Sequence, residues 1–430
     1  MKSVCVHGLG HIGLPTAAML AHHNYQVNGY DTDPEHRAAI ESDDLPITEE
    51  GLCDLVNDGL DSGNLAVIDH PTRADVHLIC VPTPMDLEAR SANLSYVRDA
   101  ATAIADRLGA GDLVILESTV PPGTTVDELR PLLERPGLMA GKDFDLAYRP
   151  ETVLPGNIMH ELRTNSRIIG GVSDHSAERT VELYESFVTG DIRTVQNPTT
   201  AEFVKLIQNT FRDVNIALAN ELAKIATDYK IDTRLGIELA NAHPRVNIHD
   251  PGPGVGGHCL PIDPWFLAHG SESLDLIAKA RQVNDSMASY IAARVDSELA
   301  GLDDCRIAIL GIAYKGNVGD IRMSPGLALA EELKMLDTKL SVHAADGGNP
   351  TSVDIRFHDP LATHSDVELL DLESSVTNAD AVIITCDHDV YKTLTPGWLA
   401  SRMEGNVLVD TKNIIPRESW EKDGFSVLQI

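Results

Sequence analysis

The chain has 430 residues, 43% hydrophobic, with 34 Lys and Arg against 65 Asp and Glu and a formal net charge of −31. That length calls for two or three domains, and that charge excludes nucleic acid or an anionic membrane as a partner bound through a broad basic face. The six cysteines form no Cys-x-x-Cys pair and no apolar run reaches the ~20 residues of a membrane span, as expected of a cytoplasmic chain without structural disulfides. The acidity is spread along the chain, and only 12 of the 34 basic residues are Lys, which favours a surface adapted to high salt over an ordinary acidic one.

Ser3 to Val6 reads as a short strand, followed at once by Gly8-Leu-Gly10-His11-Ile12-Gly13 and an Ala/Leu/Met-rich helix to His22. A second strand over Tyr25 to Tyr30 ends at Asp31. In this setting Gly8 makes the tight turn, Gly10 lets a pyrophosphate approach the backbone, and Gly13 permits close helix–strand packing. The helix N-terminus supplies N–H groups for the phosphates, and Asp31 accepts from a ribose, which favours NAD over NADP. Arg37 lies a turn farther on, where it flanks the adenine.

The alternation continues with strands at 76–81, 113–117, 144–147 and 168–171. Their ends carry Thr83, Thr119 and Glu151, and such ends are where open parallel sheets bind ligands. Thr199 to Lys230 is a long helix with Thr199 or Thr200 as its N-cap, and Lys205, Asn209 and Arg212 share one face. Further helices, through Leu239 and from Leu274 to Leu299, bracket the stretch Asp250 to Pro264. Four glycines and four prolines in those fifteen residues exclude helix and central strand. Either it is a rigid loop with an inert thiol, or Cys259 is a nucleophile with Asp263 as its acid/base partner. From Arg306 a second set of strands begins, at 307–310, 355–357, 381–385 and 407–409, without a second Gly-x-Gly-x-x-Gly.

The fold class is therefore α/β, with two doubly wound Rossmann-like domains joined by a central helical segment. The boundaries expected are 1–195 for NAD binding, 196–300 for the helical dimerisation segment with the Cys loop, and 301–430 for the second α/β domain.

Taken together, the fingerprint, Val-Pro-Thr-Pro, Ser-Thr-Val-Pro-Pro-Gly-Thr, Arg-Pro-Glu, the Lys205/Asn209 helix, the Cys259 loop and Gly-Ile-Ala-Tyr-Lys with Asp-Ile-Arg-x-Ser-Pro resemble the UDP-glucose/GDP-mannose dehydrogenase family. The resemblance implies two successive oxidations of a sugar C6 alcohol to a carboxylate, with two NAD consumed. It casts Cys259 as the nucleophile, Lys205 and Asp263 as proton acceptors, Lys205 and Asn209 as oxyanion stabilisers, and Glu151 and Thr119 as positioners of water. NAD is implied at Gly8, Gly10, His11, Ile12, Gly13, Asp31, Arg37, Thr83, Thr119 and Arg322. The UDP-sugar is implied at Thr152, Val153, Lys205, Asn209, Arg212, His243, Arg245, Gly256, Tyr314 and Lys315, with Arg245 reaching across a homodimer or higher homo-oligomer.

Glu151-Thr-Val-Leu-Pro155-Gly156 and Gly-His258-Cys259-Leu-Pro-Ile262-Asp263 depart from the glucose-type motifs and look like the branch acting on UDP-N-acetylated hexosamines, the mannosamine type above the glucosamine type. UDP-glucose and a non-catalytic nucleotide-sugar regulator are the alternatives. Arg149 reads as a surface charge without a role. No metal is expected, since no further Cys or His at ligand spacing accompanies His258 and Cys259.

Overall fold

The computed structural model describes residues 2–42, 45, 47, 49–86, 89–134, 138–299, 304–343, 352–363 and 365–430. The chain divides into two compact units, Met1–Gln208 with Asp263–Glu272, and Asn209–Ile262 with Ser273–Ile430.

The first unit is built on a sheet of β1 (Ser3–His7), β2 (Gln26–Tyr30), β3 (Leu65–Ile68), β4 (Val76–Ile79), β7 (Leu113–Leu116), β8 (Asp145–Tyr148), β9 (Arg167–Gly171) and β10 (Ile192–Val195), in the order β10-β9-β8-β7-β4-β1-β2-β3. The short antiparallel pair β5 (Met85–Asp86) and β6 (Ser91–Ala92) stands apart from it. From β3 to β8 every pairing is parallel, and the order reverses at β1 and β4, as in dinucleotide-binding sheets. Among the described residues of this sheet, β8 and β9 alone pair antiparallel. Alternate strand residues feed two cores. Val4, Val6, Leu78 and Ile115 pack with the helix Gly13–His22, while Val114, Leu116 and Leu146 pack with the helix Ser95–Ala105.

The second unit holds β11 (Asp304–Leu310), β12 (Ser352–His358), β13 (Ala381–Ile384), β14 (Val407–Asp410) and β15 (Ser426–Gln429), all parallel in the order β12-β11-β13-β14-β15. Ile307, Ile309, Ile383 and Val409 face a core with Met287, Ile291 and Leu329; Ala308, Leu310, Val382 and Leu408 face one with Tyr391 and Trp420. Burial on both faces explains why the inner strands carry apolar runs such as Ile-Ala-Ile-Leu over 307–310 and Val-Ile-Ile over 382–384.

The helix Pro198–Tyr229 begins one residue earlier than expected, and its cap is neither Thr199 nor Thr200. Asn197 Oδ1 accepts from Thr200 N at 2.8 Å and from Thr200 Oγ1 at 3.0 Å, and Pro198, which has no N–H to orphan, fills the first helical position. Among the described residues no helix is long and apolar enough to cross a membrane.

Candidate active site

In the first unit Gly8 has φ +91° and ends β1. A Cβ there would lie 2.8 Å from Cys80 O, and one on Gly13 only 1.8 Å from Gly8 O, so loop and helix touch backbone to backbone. A Cβ on Gly10 would meet nothing within 4 Å. That open cradle at a helix N-terminus fits the pyrophosphate of NAD. Asp31 Oδ2 accepts from Leu9 N at 2.9 Å and Oδ1 from Asp33 N at 3.0 Å. Arg37 Nη1 donates to Asp31 O at 2.6 Å, and Arg37 lines a cavity of about 390 Å³ with Pro34, Val67 and Asp69, a fit for the adenine end. His11 is exposed and Ile12 half-buried at the helix start. Thr83 Oγ1 donates to Thr119 O at 2.7 Å, which joins the two expected threonines across the ends of β4 and β7.

Beside them lies a charged cluster that sequence reasoning missed. Arg149, expected at the surface, is wholly buried. Register explains it: Leu116 pairs with Tyr148, so Glu117 and Arg149, the next residues of β7 and β8, emerge side by side. Arg149 Nη1 lies 3.3 Å from Glu117 Oε2 and 2.6 Å from Glu151 Oε2, and its guanidinium stacks 4.3 Å from the centre of the Tyr184 ring. Tyr184 Oη donates to Glu117, and Arg167 sits 3.7 Å from Glu151. Burial pushes Glu117 up to about 7 against the opposing pull of Arg149. Burial also acts to raise Glu151, but Arg149 and then Arg167 outweigh it and hold the group below the usual range, as a carboxylate. Thr152 N donates to Glu151 Oε1 at 2.6 Å, and Val153 packs on the core.

On the long helix Lys205 is buried, as is Glu202 one turn earlier. Glu202 accepts from Gly123 N at 2.5 Å, Thr125 N at 2.8 Å and Thr125 Oγ1 at 2.6 Å, which pins the segment after Thr119. Asp263 is buried at the start of the helix Asp263–Leu267. After burial, the charges of Glu202 and Asp263 are the chief influences raising the Tyr148 phenol.

In the second unit the Cys259 loop is shaped by its glycines, with φ +124° at Gly254 and +85° at Gly257. Gly257 N donates to Arg322 O at 2.9 Å. A Cβ on Gly256 would stand 2.5 Å from Met323 O and 2.8 Å from Tyr314 Cβ, and one on Gly257 3.1 Å from the Tyr314 ring. Cys259 is half-buried and its carbonyl accepts from Ile262 N at 3.0 Å. Burial, then the charges of Asp320 and Cys259, push Tyr314 up to about 12, with Arg322 and Arg212 opposing. The loop is braced from the long helix: Gly252 N donates to Asn220 Oδ1 at 2.8 Å, Asn220 Nδ2 to Asn284 Oδ1 at 2.9 Å, and Arg281 Nη1 to buried Asp213 at 2.6 Å.

Asn209 is half-buried, while Arg212, Arg245, His243 and Lys315 are exposed. His243 Nδ1 accepts from Arg245 N at 3.3 Å. Arg322 Nε lies 2.9 Å from Asp320 Oδ1, a paired cation on the surface.

Cys5, His7 and His77 form a buried group whose ligand atoms lie within 4.8 Å of one another. Burial first, with Arg107 contributing, pushes His7 down to about 3 and His77 to about 4. His7 Nε2 and His77 Nδ1 lie 3.3 Å apart between the neighbouring strands β1 and β4.

Three consecutive segments match the UDP-glucose/GDP-mannose dehydrogenase family: its NAD binding domain over residues 2–188, its central domain over 199–286 and its UDP binding domain over 308–417. The chain is 42% identical over 434 residues to the UDP-N-acetyl-D-mannosamine dehydrogenase of Methanococcus aeolicus, covering 99% of this chain and 94% of that one. It is 39% identical to the NDP-N-acetyl-D-galactosaminuronic acid dehydrogenase of Ralstonia nicotianae, covering 96% of each. The solved UDP-D-ManNAc dehydrogenase of Pyrococcus horikoshii superposes with a TM-score of 0.89 at 40% identity, covering 100% of this chain and 99% of that one.

Proposed function

The chain belongs to the UDP-glucose/GDP-mannose dehydrogenase family and is an NAD-dependent nucleotide-sugar dehydrogenase; on that premise we propose that it oxidises C6 of UDP-N-acetyl-D-mannosamine to the carboxylate through a covalent bond to Cys259. The naming of its relatives for N-acetylated hexosamines supports the sugar class. Val255, His258 and Ile262 in the Cys259 loop are the positions at which it departs from a glucose-type loop.

Bound NAD supplies the hydride acceptor that each of the two oxidations needs. The residues of the chain do the rest. Lys205 and Asp263 take up the hydroxyl proton. The Cys259 thiolate adds to the aldehyde carbon, and oxidation of the resulting thiohemiacetal leaves a thioester, so no free aldehyde escapes. Lys205 and Asn209 stabilise the oxyanions. Glu151 and Thr119 position the hydrolytic water, Glu151 as the carboxylate that its arginines maintain. Thr152, Val153, Arg212, His243, Arg245, Gly256, Tyr314 and Lys315 hold the UDP-sugar.

We also propose a homodimer. The helix Pro198–Tyr229 exposes Phe203, Phe211, Leu218, Ile225 and Tyr229, an apolar stripe suited to a second copy.

The observation that carries the covalent step is the half-buried Cys259 in a glycine-built loop pressed against Tyr314. Turnover with UDP-ManNAc, UDP-GlcNAc, UDP-glucose and GDP-mannose tests the sugar, and a preference for UDP-glucose would sink that assignment. Cys259→Ser should lower overall turnover by about 10³-fold, while the wild type yields two NADH per sugar. Full turnover in that variant would remove the thioester from the scheme.

A further inference from the structure

The second sheet runs β12-β11-β13-β14-β15, so its strand order reverses between β11 and β13. The crevice beyond the carboxyl ends of those two strands is where such a sheet takes its ligand. The segment Gly311–Asn317 leaves β11 there and carries Tyr314 and Lys315. It contains two glycines with no room to move: a Cβ on Gly311 would lie 2.3 Å from Cys386 Cβ, and one on Gly316 2.7 Å from Asp387 O.

Two buried side chains from the neighbouring strand ends lock this segment. Asp359, just past β12, accepts through Oδ2 from Ile312 N and Ala313 N, each at 2.9 Å, and through Oδ1 from Leu361 N and Ala362 N at the same distance. His388, just past β13 and 1% exposed, stands 3.2 Å from Asp359 Oδ2 through Nε2. Its Nδ1 accepts from Asn317 N at 3.1 Å. A ring that accepts at Nδ1 must carry its proton at Nε2, so it donates to Asp359, and both nitrogens are used. Asn317 is tied a second time: its Oδ1 accepts from Asp389 N at 3.1 Å and its Nδ2 donates to Asp389 Oδ2 at 3.0 Å.

We infer that His388 and Asp359 are positioning residues for the nucleotide-sugar site, a strut that fixes both ends of the Gly311–Asn317 segment and so sets where Tyr314 and Lys315 stand. Because the Tyr314 ring lies against Gly256 and Gly257, the strut also sets the wall on which the Cys259 loop rests. Neither residue needs to touch the ligand. The inference rests on the nucleotide-sugar reading of this unit.

Calorimetric titration of the full chain with UDP, and separately with NAD, tests it. His388→Ala leaves Asn317 N and Asp359 short of one hydrogen bond each and should weaken UDP roughly tenfold, with NAD affinity unchanged. His388→Asn, whose side-chain carbonyl can still accept from Asn317 N, should recover most of the loss. KM for the sugar should follow the UDP affinity, with kcat at saturation falling less. Wild-type affinity for UDP in His388→Ala overturns the inference, and so does an equal loss of UDP and NAD in both variants, which would be general unfolding. Failure of the wild type to bind UDP would instead overturn the nucleotide-sugar reading itself.

Discussion

Removal of Arg149 is the sharpest test of how the first unit is held together. Its guanidinium and the two carboxylates beside it are all at most 2% exposed, so none can recover water when a neighbour is lost. Truncating one member of such a group costs about 3–5 kcal/mol, and Arg149→Met, similar in length but neutral, isolates the charge. The loss should depend on pH with a definite sign. Glu117 has a folded-state value near 7, above its ordinary 4.5. Its contribution is therefore fully present below the ordinary carboxylate range and is lost as pH rises through about 7. Without Arg149 that midpoint climbs further. At pH 6 Glu117 is protonated in both proteins, whereas at pH 8 only the wild type can ionise it. The destabilisation should then exceed that at pH 6 by about 1 kcal/mol, since one pH unit of linkage is worth about 1.4 kcal/mol. Urea midpoints at pH 6 and pH 8, at constant ionic strength, read this directly. Adding Glu117→Gln should remove the pH dependence and leave the remainder. A loss under about 1 kcal/mol at pH 8, or one equal at both pH values, would refute the reasoning.

Two further outcomes follow from geometry and charge. Gly10→Ala should melt like the wild type yet fail to bind NAD, because its Cβ meets only the open cradle, whereas Gly13→Ala should lower the melting temperature as well, its Cβ colliding with Gly8 O; thermal melts with and without NAD separate the two. With a net charge of −31, stability and activity should rise from dilute buffer to molar KCl as self-repulsion is screened, and a melting temperature highest in dilute buffer would show that the surface is merely acidic.

The central strands were legible because burial on both faces leaves apolar runs such as Val-Ile-Leu over 114–116 and Val-Ile-Ile over 382–384. Two missed strands, Ile192–Val195 and Ser426–Gln429, lie at sheet edges, where partial exposure admits Arg, Thr, Ser and Gln and erases the pattern. The antiparallel β8–β9 pairing leaves no local mark at all. The Gly8 loop and the Cys259 loop were readable since glycine spacing is itself the structural constraint. Arg149 was misread because an Arg before a Pro looks like any loop residue. Only the register of β7 against β8, a relation between residues 32 apart, encloses it with Glu117. His388 was missed for the same reason: it lies 29 residues from Asp359 and 71 from Asn317.

Asp31 carries a consequence for anyone wishing to change the coenzyme. Exchanging the acid for a small neutral residue is the obvious route toward tolerance of a 2′-phosphate. Here, however, both oxygens are already engaged, one by Leu9 N inside the phosphate loop and the other by Asp33 N at the next helix. If Asp31 receives the ribose as the fingerprint implies, selectivity and loop shape rest on one side chain. A redesign at position 31 alone would slacken the loop that must grip either coenzyme, and a successful switch needs a second change that restores an acceptor for Leu9 N.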